Sequence, residues 1–429
     1  MAEKIIRDPV YDVIAFRTDR PPDALLFRLL NAAEFQRLRR IRQLGMAHLA
    51  YPGADHSRYS HSLGVMQTAR RIIEQLRRSF VIDHAEETVC LCAALLHDLG
   101  HGPFSHVFER VSGVHHESLT HRVISARDSD VHQLLAEHDP SLPGEVAALM
   151  EGGAKHTFFC DILSSQLDAD RFDYLLRDNL MTGSRYGNYD LQWLLHALTV
   201  HAETGRLAVT WKGVSAVEAY LQSRYHMYRN VYFHKVVRSA EGMVKLALQR
   251  AKRLAVQERL AWPPAESVVH RMLLGRSVTT EEFVDLDDIS MMHCFKLWQA
   301  SDDPALAGLC RGLLFRRVYK TIDLTHLGDA AQRAADAATD AVASAGGDPA
   351  YDLFYDEPSE AAYEPNGKEP CRDAEIAVLR PDGTLTTFAE VSPLTEALNR
   401  QLMFKRLHVA AQWREVAERA ARSAYANPG

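Results

Sequence analysis

Eight apolar residues in a row, Val89-Cys90-Leu91-Cys92-Ala93-Ala94-Leu95-Leu96, run straight into His97-Asp98 and the glycine-rich turn Leu99-Gly100-His101-Gly102-Pro103. A run of this kind is read as core. An imidazole and a carboxylate at its buried end lose hydration unless something pairs with them. Adjacent nitrogen and oxygen donors suit a hard-to-borderline divalent cation. Taken alone, the pair fits a structural hydrogen bond at a helix end better than a metal site.

Two further segments supply the rest of a metal shell. Upstream lies Ser57-Arg58-Tyr59-Ser60-His61-Ser62-Leu63-Gly64-Val65, and downstream Leu167-Asp168-Ala169-Asp170-Arg171-Phe172-Asp173-Tyr174. His61, His97, Asp98 and Asp170 together offer two neutral imidazoles and two carboxylates, which balance one dication. Four protein ligands leave about two positions of an octahedron for water and substrate, as a catalytic rather than a structural site requires. Asp168 competes with Asp170 for the fourth place.

The chain has 429 residues, 47% hydrophobic and 24% charged, ordinary for a large soluble globular protein. Six cysteines are sparse, and two sit inside the apolar run, so a reduced, cytoplasmic setting is expected. No run is long enough to cross a bilayer, so no membrane partner is expected. A net charge of −7 does not favour nucleic acid over the whole surface, although nucleic acid stays open as a partner. The local basic cluster Arg37-Leu38-Arg39-Arg40-Ile41-Arg42 is read as a solvated helix face, with an anion site as the alternative.

The first three-fifths read as helix after helix. Val65, Met66, Ala69, Ile72, Ile73 and Leu76 recur at helical spacing and put His61 near the start of an amphipathic helix. A helix is predicted over Asp161–Met181, closed by Gly183, with Asp170, Tyr174 and Asp178 on one face. Another, over about 215–235, carries Arg224, Tyr228 and Tyr232 on one stripe. Trp262-Pro263-Pro264 breaks the pattern, and Thr279 to Glu282 reads as a capping sequence. Residues 330–345 are alanine-rich and predicted helical. The stretch from Asp356 to Pro370 is predicted to be a boundary or mobile loop. Residues 374–379 and 384–390, around Arg380-Pro381-Asp382-Gly383, predict a hairpin. A last helix is predicted over 395–423. The fold class is therefore mainly α, with a helical core in residues 1–330 and a small α+β region in 331–429.

The order H…HD…D, the string His97 to His106 and the string Asp170 to Tyr174 resemble the HD-domain deoxynucleoside triphosphate triphosphohydrolases. The likeness runs from about Lys4 to Lys235. It implies a helical HD core, one divalent ion per site (Mn, Mg, Fe, Zn or Ni) and a possible second Mg with the triphosphate. It implies hydrolysis of dNTPs to deoxynucleoside and inorganic triphosphate. By the same resemblance His106 gives a proton to the departing 5′ oxygen, His116 is oriented by Glu109 where relatives carry aspartate, and His101 contacts phosphate. Arg58, Arg171 (a lysine in relatives), Arg224 and Tyr174 match phosphate-binding positions. Gln43, Leu44, Asp178 and Tyr232 match sugar-binding ones, Tyr232 packing where a 2′-hydroxyl would stand. Lys4, Asn31, Gln36, Arg39, His234 and Lys235 fall on positions that hold an activating nucleotide between subunits. Trp193 and Thr210 replace basic residues of that site, and Lys212 keeps one. A homo-oligomer, dimer or tetramer, follows. The alternatives are another HD activity (nucleotidase, phosphodiesterase or nuclease) and a catalytically silent nucleotide-sensing or nucleic-acid-binding protein.

Overall fold

The computed structural model describes residues 3–153, 157–364 and 375–426; of His106, Ser112 and Ala426 only the backbone is described. Helices dominate. The predicted amphipathic helix spans Arg58–Leu76, and Val65, Met66, Ala69, Ile72, Ile73 and Leu76 are all buried. It packs against the helix His84–Leu96, which holds the apolar run in the centre of the main core. The five cysteines among the described residues are buried free thiols.

The expected helix Asp161–Met181 is two helices, Thr157–Leu163 and Ala169–Thr182. Asp168 causes the break. Its Oδ1 accepts from Arg171 N at 2.7 Å and its Oδ2 from Ser165 N at 3.0 Å, so it caps the second helix. Both Asp168 oxygens are thereby held by backbone amides. Gly183, at φ +69°, ends the helix as predicted.

The expected helix over 215–235 is Val214–Met227 followed by a π-helical turn, Tyr228–Tyr232. The stripe survives the change of pitch: the Arg224 guanidinium lies 5.4 Å from the Tyr228 ring, and Tyr228 and Tyr232 meet at 5.0 Å. His234 then caps the next helix, Lys235–Val256, accepting from Val236 N at 3.2 Å. The predicted capping box at Thr279 and Glu282 is present.

The N-terminus is a β-hairpin, Glu3–Asp8 with Asp12–Arg17, rather than a helix. Asp8 accepts from the amides of Val10 and Tyr11 in its turn, the local bonding that makes Asp a turn former. The basic cluster is not a solvated face throughout. Arg37 is wholly buried, donates to the carbonyls of Leu286 and Leu99, and stacks on Phe283. Burial pushes its guanidinium down to about 9. Arg40 pairs with Asp287 and Arg42 with Asp55.

The C-terminal part is α+β as expected. The helix Ala331–Ser344 packs on a last helix, Arg414–Ala426. The predicted hairpin is present but short, Ala377–Leu379 with Leu385–Thr387, and it joins the strand Leu207–Thr210 of the core in parallel. The predicted last helix over 395–423 is not continuous. Its first part is the short helix Thr395–Asn399, and Arg406–Val409 is the central strand of a sheet, between Lys320–Asp323 and Leu353–Asp356. Leu407 and Val409 alternate into the core there, a period of two that outweighs the helical propensity around it. Of the predicted loop 356–370, residues 365–370 lie outside the described residues, as does Ala374 of the hairpin. No helix among the described residues is long and apolar enough to cross a membrane.

Candidate active site

His61 stands on the first turn of Arg58–Leu76, where the chain enters from a loop. Its Nε2 is 2.9 Å from Asp170 Oδ1, and its Nδ1 is 2.8 Å from Asp173 Oδ2. Burial pushes this imidazole down, but the hydrogen bonds to Asp170 and Asp173 outweigh it and hold it up to about 10. Asp173 is fixed in turn by Arg177, which donates to both of its oxygens at 2.9 Å and reaches Asp8 of the hairpin at 2.8 Å. All four groups are buried. Gly64 lets the two helices close on this chain, since a Cβ there would lie 1.9 Å from Asp173 Oδ1.

His97 ends the helix His84–Leu96. Its Nδ1 bonds the Ala94 carbonyl at 2.9 Å, which leaves Nε2 toward the cavity, 3.8 Å from Asp170 Oδ1. That Nε2 is buried with no hydrogen-bond partner among the described residues. His61, His97 and Asp170 present donor atoms within 4.8 Å of one another and could hold a metal ion. The orphaned nitrogen fits a coordinating role, because an unpaired buried acceptor is otherwise costly.

Asp98 lies at the edge of this group, 3.4 Å from His97 Nε2 and 3.9 Å from His61 Nε2. Its Oδ2 takes Arg58 Nη1 at 2.5 Å and its Oδ1 faces His101 Nε2 at 3.1 Å. Against the cost of burial, Arg58 holds this carboxyl well below the usual range. His101 is pushed well below its ordinary value by burial and by Arg58, so it is neutral, and its ring stacks on His116 at 4.0 Å. Glu109 spans two imidazoles, His116 Nδ1 at 3.2 Å and His115 Nδ1 at 2.9 Å. The longer glutamate thus still reaches His116. His106 opens the helix His106–Ser112, and its side chain lies outside the described residues.

Arg58, His61, His97, Asp98, His101, His116 and Asp170 line one cavity of about 1400 Å³, together with Gln43, Leu44, Arg171, Tyr174, Asp178 and Tyr232. Asp178 is held from two sides, by His56 Nε2 at 2.7 Å and by the Tyr232 hydroxyl at 2.8 Å. Gln43 Oε1 is buried there without a partner among the described residues. Arg224 lies behind the wall, paired with Glu360 at 2.7 Å. Of the residues expected to hold a second nucleotide, Asn31 and Gln36 fold onto the carbonyls of Phe27 and Leu30, Arg39 stacks on Tyr59, and Lys4 is exposed. His234 and Lys235 open the helix Lys235–Val256 and line a second cavity of about 300 Å³ with Arg229 and Arg406. No hydrogen bond or ion pair joins the two sets among the described residues.

Sequence reasoning missed Asp173, Arg177, Asp8, His56 and Glu360. The spacing of Asp173 and Arg177, four apart on one helix, signals their pairing. Nothing in the sequence links Asp8 or Glu360 to the site.

A helical core that gathers paired histidines and a carboxylate into one polar cavity defines a class, the HD-domain phosphohydrolases. The HD domain family matches residues 58–177, and the HD associated region matches residues 189–262. The chain belongs to this family. It is 36% identical over 400 residues to the uncharacterized protein YwfO of Bacillus subtilis, covering 92% of this chain and 89% of that protein. It is 30% identical over 300 residues to a Dictyostelium discoideum protein named deoxynucleoside triphosphate triphosphohydrolase SAMHD1 homolog, over 66% of this chain and 56% of that one. The crystal structure of a phosphohydrolase from Bacteroides thetaiotaomicron matches with a TM-score of 0.81 at 30% identity, over 95% of this chain and 100% of that one.

Proposed function

We propose that this protein hydrolyses dNTPs to deoxynucleoside and inorganic triphosphate with one divalent ion bound by His61, His97, Asp98 and Asp170. The observation that carries the reading is the shared cavity: the metal-donor cluster, Arg171 and the Asp178–Tyr232 pair all face one space. When bound, the ion supplies a nucleophilic oxygen near neutral pH and polarises a phosphoryl oxygen.

The chain's own groups do the rest. Arg58, Arg171, Arg224 and Tyr174 bind the phosphates, Arg as a fork that lysine cannot offer. His101, neutral, contacts phosphate without adding charge. As water's oxygen joins the α-phosphorus, the bond to the 5′ oxygen breaks and that oxygen takes a proton. The donor is His106, with the Glu109–His116 pair beside it; such help is typically worth about 10²–10⁴-fold. Gln43 and Asp178 bind the 3′-hydroxyl, Leu44 packs on the sugar, and Tyr232 closes the space a 2′-hydroxyl needs.

In this reading residues 1–330 are the catalytic core and 331–429 an accessory region, and the protein is a cytoplasmic dimer or tetramer. The buried free thiols support the compartment. The basic cavity at His234, Lys235, Arg229 and Arg406 supports binding of an activating nucleotide. Incubating each dNTP and rNTP with Mn²⁺ or Mg²⁺ and separating the products tests the reading. Deoxynucleoside with inorganic triphosphate supports it; a nucleoside monophosphate with pyrophosphate overturns it.

A further inference from the structure

We infer that Glu360, carried by the C-terminal region, is a specificity-determining residue that blocks the phosphate-binding arginine Arg224 and yields it only to a polyphosphate able to displace a carboxylate. The inference rests on the phosphate role proposed above for Arg224.

Arg171, partly buried, and Arg224, buried, lie close enough to repel, and each has one carboxylate as its countercharge. The two carboxylates differ in how they are held. Asp168 is pinned by the backbone amides of Ser165 and Arg171 and cannot leave without uncapping a helix. Glu360 is held by Arg224 alone among the described residues. It sits on the two-residue strand Ser359–Glu360, paired only with Leu402–Met403, and its side chain is 31% exposed.

Position gives the direction of the effect. Glu360 is on the cavity wall, whereas Arg224, 6% exposed, is not among the lining residues. A ligand therefore meets the carboxylate before it meets the guanidinium. Glu360 also satisfies Arg224 only in part. It accepts from Nη2 at 2.7 Å, while Nε is buried with no partner among the described residues. A phosphate can take Nε–H and Nη2–H together as a bidentate pair. Phosphate thus outcompetes the single bond of Glu360, but only when its chain extends from the metal cluster to Arg224. If Glu360 holds Arg224 about nine-tenths of the time, apparent affinity for such a chain is weakened about tenfold.

The test is calorimetric titration of the full-length protein with inorganic tripolyphosphate, a probe that needs no turnover. Glu360→Gln, which keeps the size and removes the charge, is expected to tighten binding about tenfold, and Glu360→Ala likewise. Arg224→Gln weakens binding, and in the double variant Arg224→Gln/Glu360→Gln the gain from Glu360→Gln disappears. Unchanged or weaker binding in both Glu360 variants, with Arg224→Gln still weakened, overturns the role of Glu360 and leaves the phosphate cradle standing. Unchanged binding in Arg224→Gln alone overturns the cradle, and with it this inference.

Discussion

Asp173 Oδ2 lies 2.8 Å from Nδ1 of His61, on the side of the ring away from Asp170. As a carboxylate it accepts the Nδ1 proton, so the Nε2 proton, shared with Asp170, is the one a metal would displace. Against burial, Arg177 and His61 hold Asp173 down to about 2, so it is ionised at any working pH. A partner of this kind fixes the tautomer and orientation of a ligating histidine, and its loss typically costs about 10–100-fold in metal affinity. Asp173→Asn is expected to weaken metal binding by about tenfold or more while the protein stays folded. Wild-type affinity in a metal titration would show that Asp173 is merely structural.

His97 and Asp98 are neighbours with different secondary duties, and their variants should separate. Either alanine substitution abolishes hydrolysis and lowers bound metal. His97→Ala removes an otherwise unpartnered nitrogen and keeps the helical fold. Asp98→Ala also strands Arg58, buried at 2.5 Å from the carboxylate, and uncompensated buried charges cost about 3–5 kcal/mol. Thermal unfolding of the metal-free proteins should therefore place Asp98→Ala well below His97→Ala. Full activity of either variant after chelation and metal repletion contradicts the ligand assignment.

Much of this site was legible because its signals are local. The apolar run, the His97-Asp98 ending and the helical spacing around His61 depend only on neighbours in sequence, and the structure keeps them. The failures are of another kind. Asp168 takes a backbone-capping role that competes with the helix predicted across it. Arg37 goes inside because carbonyls of Leu286 and Leu99, 249 and 62 residues away, turn toward it. The strand at Arg406 needs partners at Lys320 and Leu353 before it can exist. Glu360 meets Arg224 across 136 residues. Long-range pairing of this sort leaves no periodicity to read.

Tyr232 is held in place by its own hydroxyl, which donates to Asp178 at 2.8 Å. A fixed ring excludes a 2′-hydroxyl better than a mobile one. Tyr232→Ala should narrow the ratio of kcat/KM for dATP over ATP. Equal values in the wild type would refute the deoxy preference; an unchanged ratio in the variant would remove Tyr232 from it.

His408 is fully buried on the central strand of the C-terminal sheet, stacked on Phe354 at 4.8 Å, with Asp356 3.8 Å from Nε2. Burial pushes it below its ordinary value, with Asp356 opposing. Its folded pKa is thus depressed from about 6.5, the unfolded reference. The contribution to stability is full above that value and is lost as pH falls below it, because the unfolded chain then binds a proton the folded chain resists. The Tm of the wild type should drop between about pH 7 and pH 5 more steeply than that of His408→Gln. Parallel curves would show that this histidine does not titrate across folding.

Hydrolysis at the α-phosphorus with departure of the 5′ oxygen dictates where solvent oxygen goes, and turnover of dATP with Mn²⁺ in heavy-oxygen water reads it. Mass spectrometry should find one heavy oxygen in inorganic triphosphate and none in deoxyadenosine. Label in orthophosphate, pyrophosphate or a nucleotide product would contradict the account.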